Sequence, residues 1–303
     1  MIEVKEVREM SLIQINNVTK DYGQGRGNFD ISLSVEKGEV FGFVGINGAG
    51  KTTLIRQMMG FLKPDKGSIK IDGLDSWKDA AEIKKKIGYI PGEIAFPDAP
   101  TGNDFLKRQA ELLELKDMSY AKEIISTFQL DPSANLKRMS KGMKQKTAIV
   151  AAFMANPDIL ILDEPTTGLD PLMRKDFIDL INREKKKGKT IFMSSHMFEE
   201  VENTCDKVAF IKDGKIIDVV DTEFIRHNQN KSYKIEFVSN EEYKRFIHTE
   251  KFELSELRKD QNQVIVNIHD LSINQFLNAL KNYDMKFMTE IKYSLEQYFK
   301  KLY

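Results

Sequence analysis

The stretch that decides the fold is "GINGAGKTT", residues 45–53. It satisfies the pattern G-x-x-x-x-G-K-[ST] in full. Gly45, Gly50, Lys51 and Thr52 stand at the fixed places, and Asn47, Gly48, Ala49 and Thr53 complete the loop. Glycines let backbone N–H groups close around phosphate oxygens, and the N-terminus of a following helix adds the positive end of its dipole. Lys51 is placed to reach β- and γ-phosphates, and Thr52 to offer its hydroxyl to Mg²⁺. Such a loop works between a strand and a helix. Here "EVFGFV" precedes it, and "KTTLIRQMMG" follows with Leu54, Ile55, Met58 and Met59 on one face and Gly60 as its stop. A chance glycine turn does not account for that setting.

A second segment supplies what a phosphate loop needs for hydrolysis. "ILILDE" (159–164) is a near-continuous apolar run, the mark of a strand buried on both faces, and it ends in two carboxylates. Ligands of open α/β sheets sit at such strand ends. Asp163 is expected to hold Mg²⁺ through water, and Glu164 to orient or deprotonate an attacking water. Read alone, the two acids are as compatible with ordinary strand-end residues; the phosphate loop tips the balance.

Outward from these motifs the chain falls into sections. Period-2 alternation in "SLIQINNVTKDYG" (11–23) and two runs around Glu36-Lys37-Gly38 predict N-terminal strands. From about 93 to 156 the spacing turns helical, with Ser119 a candidate cap. "DPLMRKDFIDLINREKKKG" predicts a helix capped by Asp170, opened by Pro171 and closed by Gly188, its basic run Arg183–Lys189 read as a solvated end. "KTIFMSS" predicts a strand and "KVAFIKDGKIIDVV" a hairpin. After about 222 charged and aromatic residues dominate, and the element order suggests a small split βαβ sandwich ending in the helix "SLEQYFKKLY". The predicted fold is α/β, a P-loop core with an antiparallel β part and a helical insertion, plus a small α+β C-terminal domain. The boundaries are a leader over 1–11, a nucleotide-binding domain over 12–221 and an accessory domain over 222–303.

Composition narrows the partners. Lys+Arg 46 against Asp+Glu 46 leaves no net charge and no global electrostatic case for nucleic acid. The single cysteine, Cys205, suits a reducing compartment and reads as a small buried apolar group. No apolar run approaches the roughly 18–20 residues that span a bilayer.

Between and after the two motifs lie "MSKGMKQK" (139–146), "TTGLDP" (166–171) and "SSHMFEEV" (194–201). In this order the set resembles the nucleotide-binding subunit of an ATP-binding cassette transporter over about residues 12–221. The resemblance implies ATP hydrolysis coupled to transport, with ATP and Mg²⁺ as cofactors. Ser140 and Gly142 match the signature L-S-G-G-Q, and Lys141 and Met143 depart from it. Asp170 matches the acid of the D-loop, His196 the switch histidine, and Tyr22 the aromatic that stacks on adenine. Ser140 is also placed to cap the helix "KGMKQK", turning its hydroxyl and free N–H groups toward an anion. Each has a plainer reading: Tyr22 as core, His196 as a buried hydrogen-bonder, Asp170 as a helix cap.

The resemblance further implies a head-to-tail dimer, homodimeric or pseudo-symmetric, with two ATP molecules at its interface. It implies a separate integral membrane permease, placing this chain on the cytoplasmic face of the membrane. The C-terminal section looks like that of bacterial exporters of antibiotics, bacteriocins, lipids or sodium. Two other classes share these motifs: a soluble family member acting on ribosomes or DNA, and a nucleotide-gated subunit that barely hydrolyses. Finally, "IGYIPGEI" (87–94) occupies the loop where the family carries a glutamine, and that position falls on Gly92. Either Glu93 supplies an oxygen to Mg²⁺, or the site relies on Thr52, Asp163 and water and the loop keeps only its hinge role; the second is the preferred reading, because a one-residue shift redirects a side chain.

Overall fold

A computed structural model describes residues 11–226, 229–291 and 293–302, so residues 1–10 of the expected leader lie outside the described residues. The chain divides into two compact units, Met1–Asp221 and Thr222–Tyr303. In the first, alternation builds β1 (Ser11–Asp21) and β2 (Gly27–Glu36): Ile13, Ile15 and Val18 of one and Ile31, Leu33 and Val35 of the other are buried. Ser11, assigned to the leader by sequence, is the first residue of β1 and pairs with Glu36.

The phosphate loop leaves from β3 (Val40–Val44), every residue of which is buried. The antiparallel sheet of β1 and β2 is completed by β4 (Lys66–Ile71) and β5 (Leu74–Asp75), in the order β2-β1-β4-β5. The second sheet adds β6 (Ile87–Ile90), β7 (Ile159–Asp163), β8 (Thr190–Ser195), β9 (Lys207–Lys212) and β10 (Lys215–Asp221) to β3, in the order β10-β9-β3-β8-β7-β6. Its strands run parallel except β10, which returns antiparallel along β9 through Asp213-Gly214. Both turn residues have positive φ, 48° and 72°, as a tight hairpin requires. β7 and β8 are buried throughout, which is why they read as unbroken apolar runs. Phe41 of β3 and Phe192 of β8 stack on each other at 5.8 Å, each ring worth about 1.5–3 kcal/mol of burial.

Helix α1 (Lys51–Met58) opens directly from the loop, and α2 (Ala80–Lys86) leads into β6. The insertion carries α3 (Gly102–Leu112), α4 (Ser119–Thr127) and α5 (Lys141–Phe153). Thr101 and Asp104 form a full capping box on α3. Ser119, expected to cap α4, is instead its first residue; its N–H and hydroxyl both donate to Asp117. α6 (Pro171–Lys186) has the predicted Asp170 cap, whose Oδ1 accepts from the Met173 N–H at 3.0 Å, and α7 (Phe198–Thr204) follows β8.

The basic run Arg183–Lys189 at the end of α6 is solvated in part, at the exposed Lys186 and Lys187, but two of its residues depart from the sequence reading. Lys189 is 5% exposed and Glu184 wholly buried, and they pair at 2.5 Å. Lys187 adds a second contact to Glu184 at 2.9 Å, and the Tyr120 hydroxyl of α4 donates to Glu184 at 2.7 Å. This is a buried charge network joining the helical insertion to the core, and a run of lysines gives no local sign of it because its acid partner lies inside the helix.

The second unit runs α8 (Thr222–Arg226), β11 (Asn230–Phe237), α9 (Asn240–Thr249), β12 (Glu253–Arg258), β13 (Gln263–His269), α10 (Ile273–Leu280), β14 (Met285–Ile291) and α11 (Leu295–Leu302). Its antiparallel sheet has the order β12-β13-β11-β14, a split β-α-β-β-α-β arrangement. Phe237, Phe246 and Phe276 fill its core. Ser294 and Gln297 exchange the two bonds of a capping box at α11.

Candidate active site

Strand register assembles the site. Val44 pairs with Ser195, Asp163 with Ser194, and Ile90 with Leu162. The loops after β3, β6, β7 and β8 therefore leave the sheet side by side at its C-terminal edge, where open α/β sheets bind ligands.

Glu164 sits between two basic groups. Lys51 Nζ lies 3.1 Å from Glu164 Oε1, and His196 Nδ1 lies 2.6 Å from Oε2. The Lys51 side chain is 5% exposed, and its ammonium also donates to the carbonyls of Gly45 at 2.6 Å and Ile46 at 3.2 Å. Glu164 takes φ 50°, a left-handed conformation that costs a residue of this type on the order of 1–3 kcal/mol. Its N–H is held there by the carbonyl and the hydroxyl of Ser194, at 3.2 and 3.1 Å.

Asp163 is wholly buried. Burial raises its pKa, while the hydroxyls of Ser194 and Thr52 pull the other way. Ser194 Oγ donates to Oδ1 at 2.5 Å. Oδ2 is buried without a well-formed hydrogen bond, an orphaned oxygen of the sort that a cation satisfies. With the Thr52 hydroxyl beside it, this all-oxygen set suits a hard divalent cation such as Mg²⁺. Sequence reasoning passed over Ser194, which serves both acids; its only signal was a hydroxyl pair at the end of an apolar strand.

The phosphate loop has its own support. Gly50 adopts φ 110°, and a Cβ there would meet the Asn28 side-chain amide at 2.4 Å, so only glycine fits. Asn28, buried in β2, was missed by sequence. With its amide oriented to satisfy both ends, Nδ2 donates to Gly50 O at 3.0 Å and Oδ1 accepts from the Leu54 N–H at 3.2 Å. Ala49 closes the loop through its N–H on Ile46 O at 3.2 Å. At Gly48 a Cβ would meet nothing within 4 Å, so that position is open. Asn47 is exposed in the same loop, and Thr53 is half-buried in α1.

The loop after β6 also comes to Asp163, through Gly92. A Cβ at residue 92 would lie 2.7 Å from Asp163 Oδ2 and 3.1 Å from its Cγ. The Asp163 carboxylate itself occupies the place where a side chain at 92 would start. Glu93 is exposed.

The signature residues form a second group. Ser140 caps α5, its Oγ accepting from the Met143 N–H at 3.2 Å. A Cβ on Gly142 would come within 2.9 Å of Gly168 O, and a Cβ on Gly168 within 2.9 Å of Lys141 Cγ. The α5 N-terminus thus lies against the loop ending in Asp170, with the Lys141 stem across Gly168. Tyr22 stands in the turn after β1 with 56% of its surface exposed, so it is not a core residue. Cys205 is buried and unreactive in setting.

A family profile described as ABC transporter matches residues 29–167. The bacitracin transport ATP-binding protein BcrA of Bacillus licheniformis is 32% identical over 299 residues, covering 96% of this chain and 97% of that one. A solved ATP-binding subunit of an ABC transporter superposes with a TM-score of 0.65 at 29% identity, covering 71% of this chain and 92% of the other. The ATP-binding cassette MJ0796, in a dimeric post-hydrolysis state with ADP and Pi, shares the fold at a TM-score of 0.62 and 23% identity, over 69% of this chain and 98% of its own.

Proposed function

Because this chain belongs to the ABC transporter family and is an ATP-hydrolysing transporter subunit, we propose that it drives export of an antibiotic-like substrate through a separate integral membrane permease, from the cytoplasmic face of the membrane. The observation that carries the enzymatic part is the contact chain Lys51–Glu164–His196 beside the buried Asp163. Similarity to the bacitracin transport protein through both units supports the exporter branch. Among the described residues no helix is long and apolar enough to cross a membrane, so the path is assigned to another chain.

In this mechanism the loop 45–53 wraps the phosphates with its N–H groups, and Lys51 turns its ammonium from Glu164 to phosphate oxygens. His196 keeps hold of Oε2, so Glu164 presents Oε1 to the attacking water and takes its proton. Thr52 and Asp163 would hold Mg²⁺, which when bound neutralises phosphate charge. Ser140 and Gly142 serve the γ-phosphate held by a second cassette, homologous or identical, with Asp170 closing the same interface, and Tyr22 stacks on adenine. The test is to isolate the chain from its native membrane. An integral membrane protein accompanies it, and steady-state ATPase of the complex exceeds that of the chain alone. Equal turnover alone, with ribosomes or DNA in place of a membrane protein, would refute the export reading.

Gly92 gives a second prediction. Gly92→Ala forces Asp163 from its place, and apparent Mg²⁺ affinity, read from the metal dependence of nucleotide binding, weakens by about 10–100-fold, the usual loss when a neighbour of a metal ligand is disturbed. Glu93→Ala leaves that affinity unchanged. The opposite pattern would return the ligand role to Glu93.

A further inference from the structure

Glu200 is a buried acid that the mechanism above does not use. It lies in the first turn of α7, is 2% exposed, and faces two loops that both reach the nucleotide edge of the sheet. Its Oε1 accepts from the Thr166 hydroxyl, two residues beyond Glu164. Its Oε2 accepts from Ser195 Oγ at 3.0 Å, one residue before His196. Ser195 is fixed in turn by the Met197 N–H at 2.9 Å. Thr166 and Ser195 are themselves 3% and 1% exposed, so the bridge lies inside the protein.

The same loop is gripped from other sides. Gln145 of α5, 3% exposed, donates to Pro165 O at 2.6 Å. Arg174 of α6 donates from Nε to Leu169 O at 3.2 Å, and its charge also reaches Glu200. Burial raises the Glu200 pKa, and the Thr166 and Ser195 hydroxyls oppose that rise. A buried carboxyl costs stability unless its oxygens are bonded, and here both are. One side chain thereby fixes the spacing between residue 166 and residue 195, and so between the flanking Glu164 and His196.

We propose that Glu200 is the positioning residue of the hydrolytic pair: by bridging Thr166 and Ser195 it sets His196 Nδ1 at hydrogen-bond distance from Glu164. It acts through its bonds to Thr166 and Ser195. This rests on the reading of Glu164 and His196 as the hydrolytic pair. Glutamine at 200 can keep the bridge, because its carbonyl accepts from one hydroxyl while its amide donates to the other, which reverses its O–H. Alanine cannot.

The experiment compares Glu200→Ala, Glu200→Gln, Ser195→Ala and His196→Ala in the full chain purified with its membrane partner, reading kcat, KM, ATP affinity and Tm. Displacement of a catalytic contact by about 1 Å costs up to about 10²-fold. Glu200→Ala therefore lowers kcat by about 10–10²-fold with KM and ATP affinity within about twofold, and Glu200→Gln restores most of it. Should Glu200→Ala fail to fold, Ser195→Ala carries the test, with a smaller loss in kcat alone. Unchanged kcat in Glu200→Ala overturns the inference. So does a parallel loss of kcat, ATP affinity and Tm in both Glu200 variants, which marks a purely structural role. Normal turnover in His196→Ala instead overturns the hydrolytic pair itself, whereas a loss there beside an unaffected Glu200→Ala removes only the positioning role.

Discussion

Glu164→Gln binds ATP and loses about 10²–10⁴ in turnover, the contribution of a positioned general base. The amide keeps the shape of the side chain and a bond to His196 Nδ1, but it cannot take a proton. It also removes the negative partner of Lys51, 3.1 Å away, so the ammonium is freer to engage phosphate and ATP affinity does not fall. With two cassettes closing on ATP, the variant accumulates as an ATP-bound dimer, visible by size-exclusion chromatography with ATP. The measurement is steady-state phosphate release beside equilibrium ATP binding. Turnover within a few-fold of the unmodified chain would take Glu164 out of the role and leave the strand-end acids as ordinary polar residues.

The second large effect concerns stability. Glu184→Ala removes the acid from a site where Lys189 is 5% exposed and loses its ion-pair partner. Breaking a buried pair from one side costs about 3–5 kcal/mol, because a charge is left in the interior without its counter-charge; here Lys189 keeps its bond to Asn156 Oδ1 at 2.5 Å, which sets the loss toward the lower end. For a unit of this size that corresponds to a fall of roughly 6–20 °C in Tm. Replacing both residues by apolar ones, as in Glu184→Leu with Lys189→Met, restores much of the loss. The pH dependence has a definite sign. Burial pushes the Glu184 carboxyl up, but hydrogen bonds from Lys189, Lys187 and Tyr120 outweigh it and hold the pKa below the ordinary value. A depressed folded-state pKa gives stability that is present above the ordinary carboxylate range and lost as pH falls through the folded value. Thermal unfolding of the chain and of Glu184→Ala at neutral and acid pH checks this: the difference narrows in acid. A drop in Tm of only a degree or two at neutral pH would show that the network contributes little.

The two predictions differ in how visible their residues were. Glu164 could be read from the chain because a buried strand writes itself as an unbroken apolar run and its polar end stands out. Glu184 could not. It lies in an amphipathic helix among lysines, where acids and bases alternate on solvated faces as a matter of course, and its burial depends on Tyr120, sixty-four residues away on α4. Ser119 shows the smaller form of the same failure. A serine before a helical pattern is a sound cap signal, yet Asp117 offered a better acceptor two residues earlier and the helix began at the serine itself.

What the sequence determined by itself is everything set by local spacing. The phosphate loop between strand and helix, the apolar runs of β7 and β8, the Asp170 and Ser140 caps and the β-α-β-β-α-β order of the last eighty residues follow from backbone sterics and hydrophobic periodicity within a few residues. What only the tertiary structure decided is which distant groups share a site. Parallel register places Ser194 on Asp163, brings Gly92 so close to that carboxylate that a side chain has no room, and sets Glu200 between Thr166 and Ser195. Those meetings depend on how strands pair across the sheet, and a one-residue slip in β6 or β8 would undo them without altering any motif.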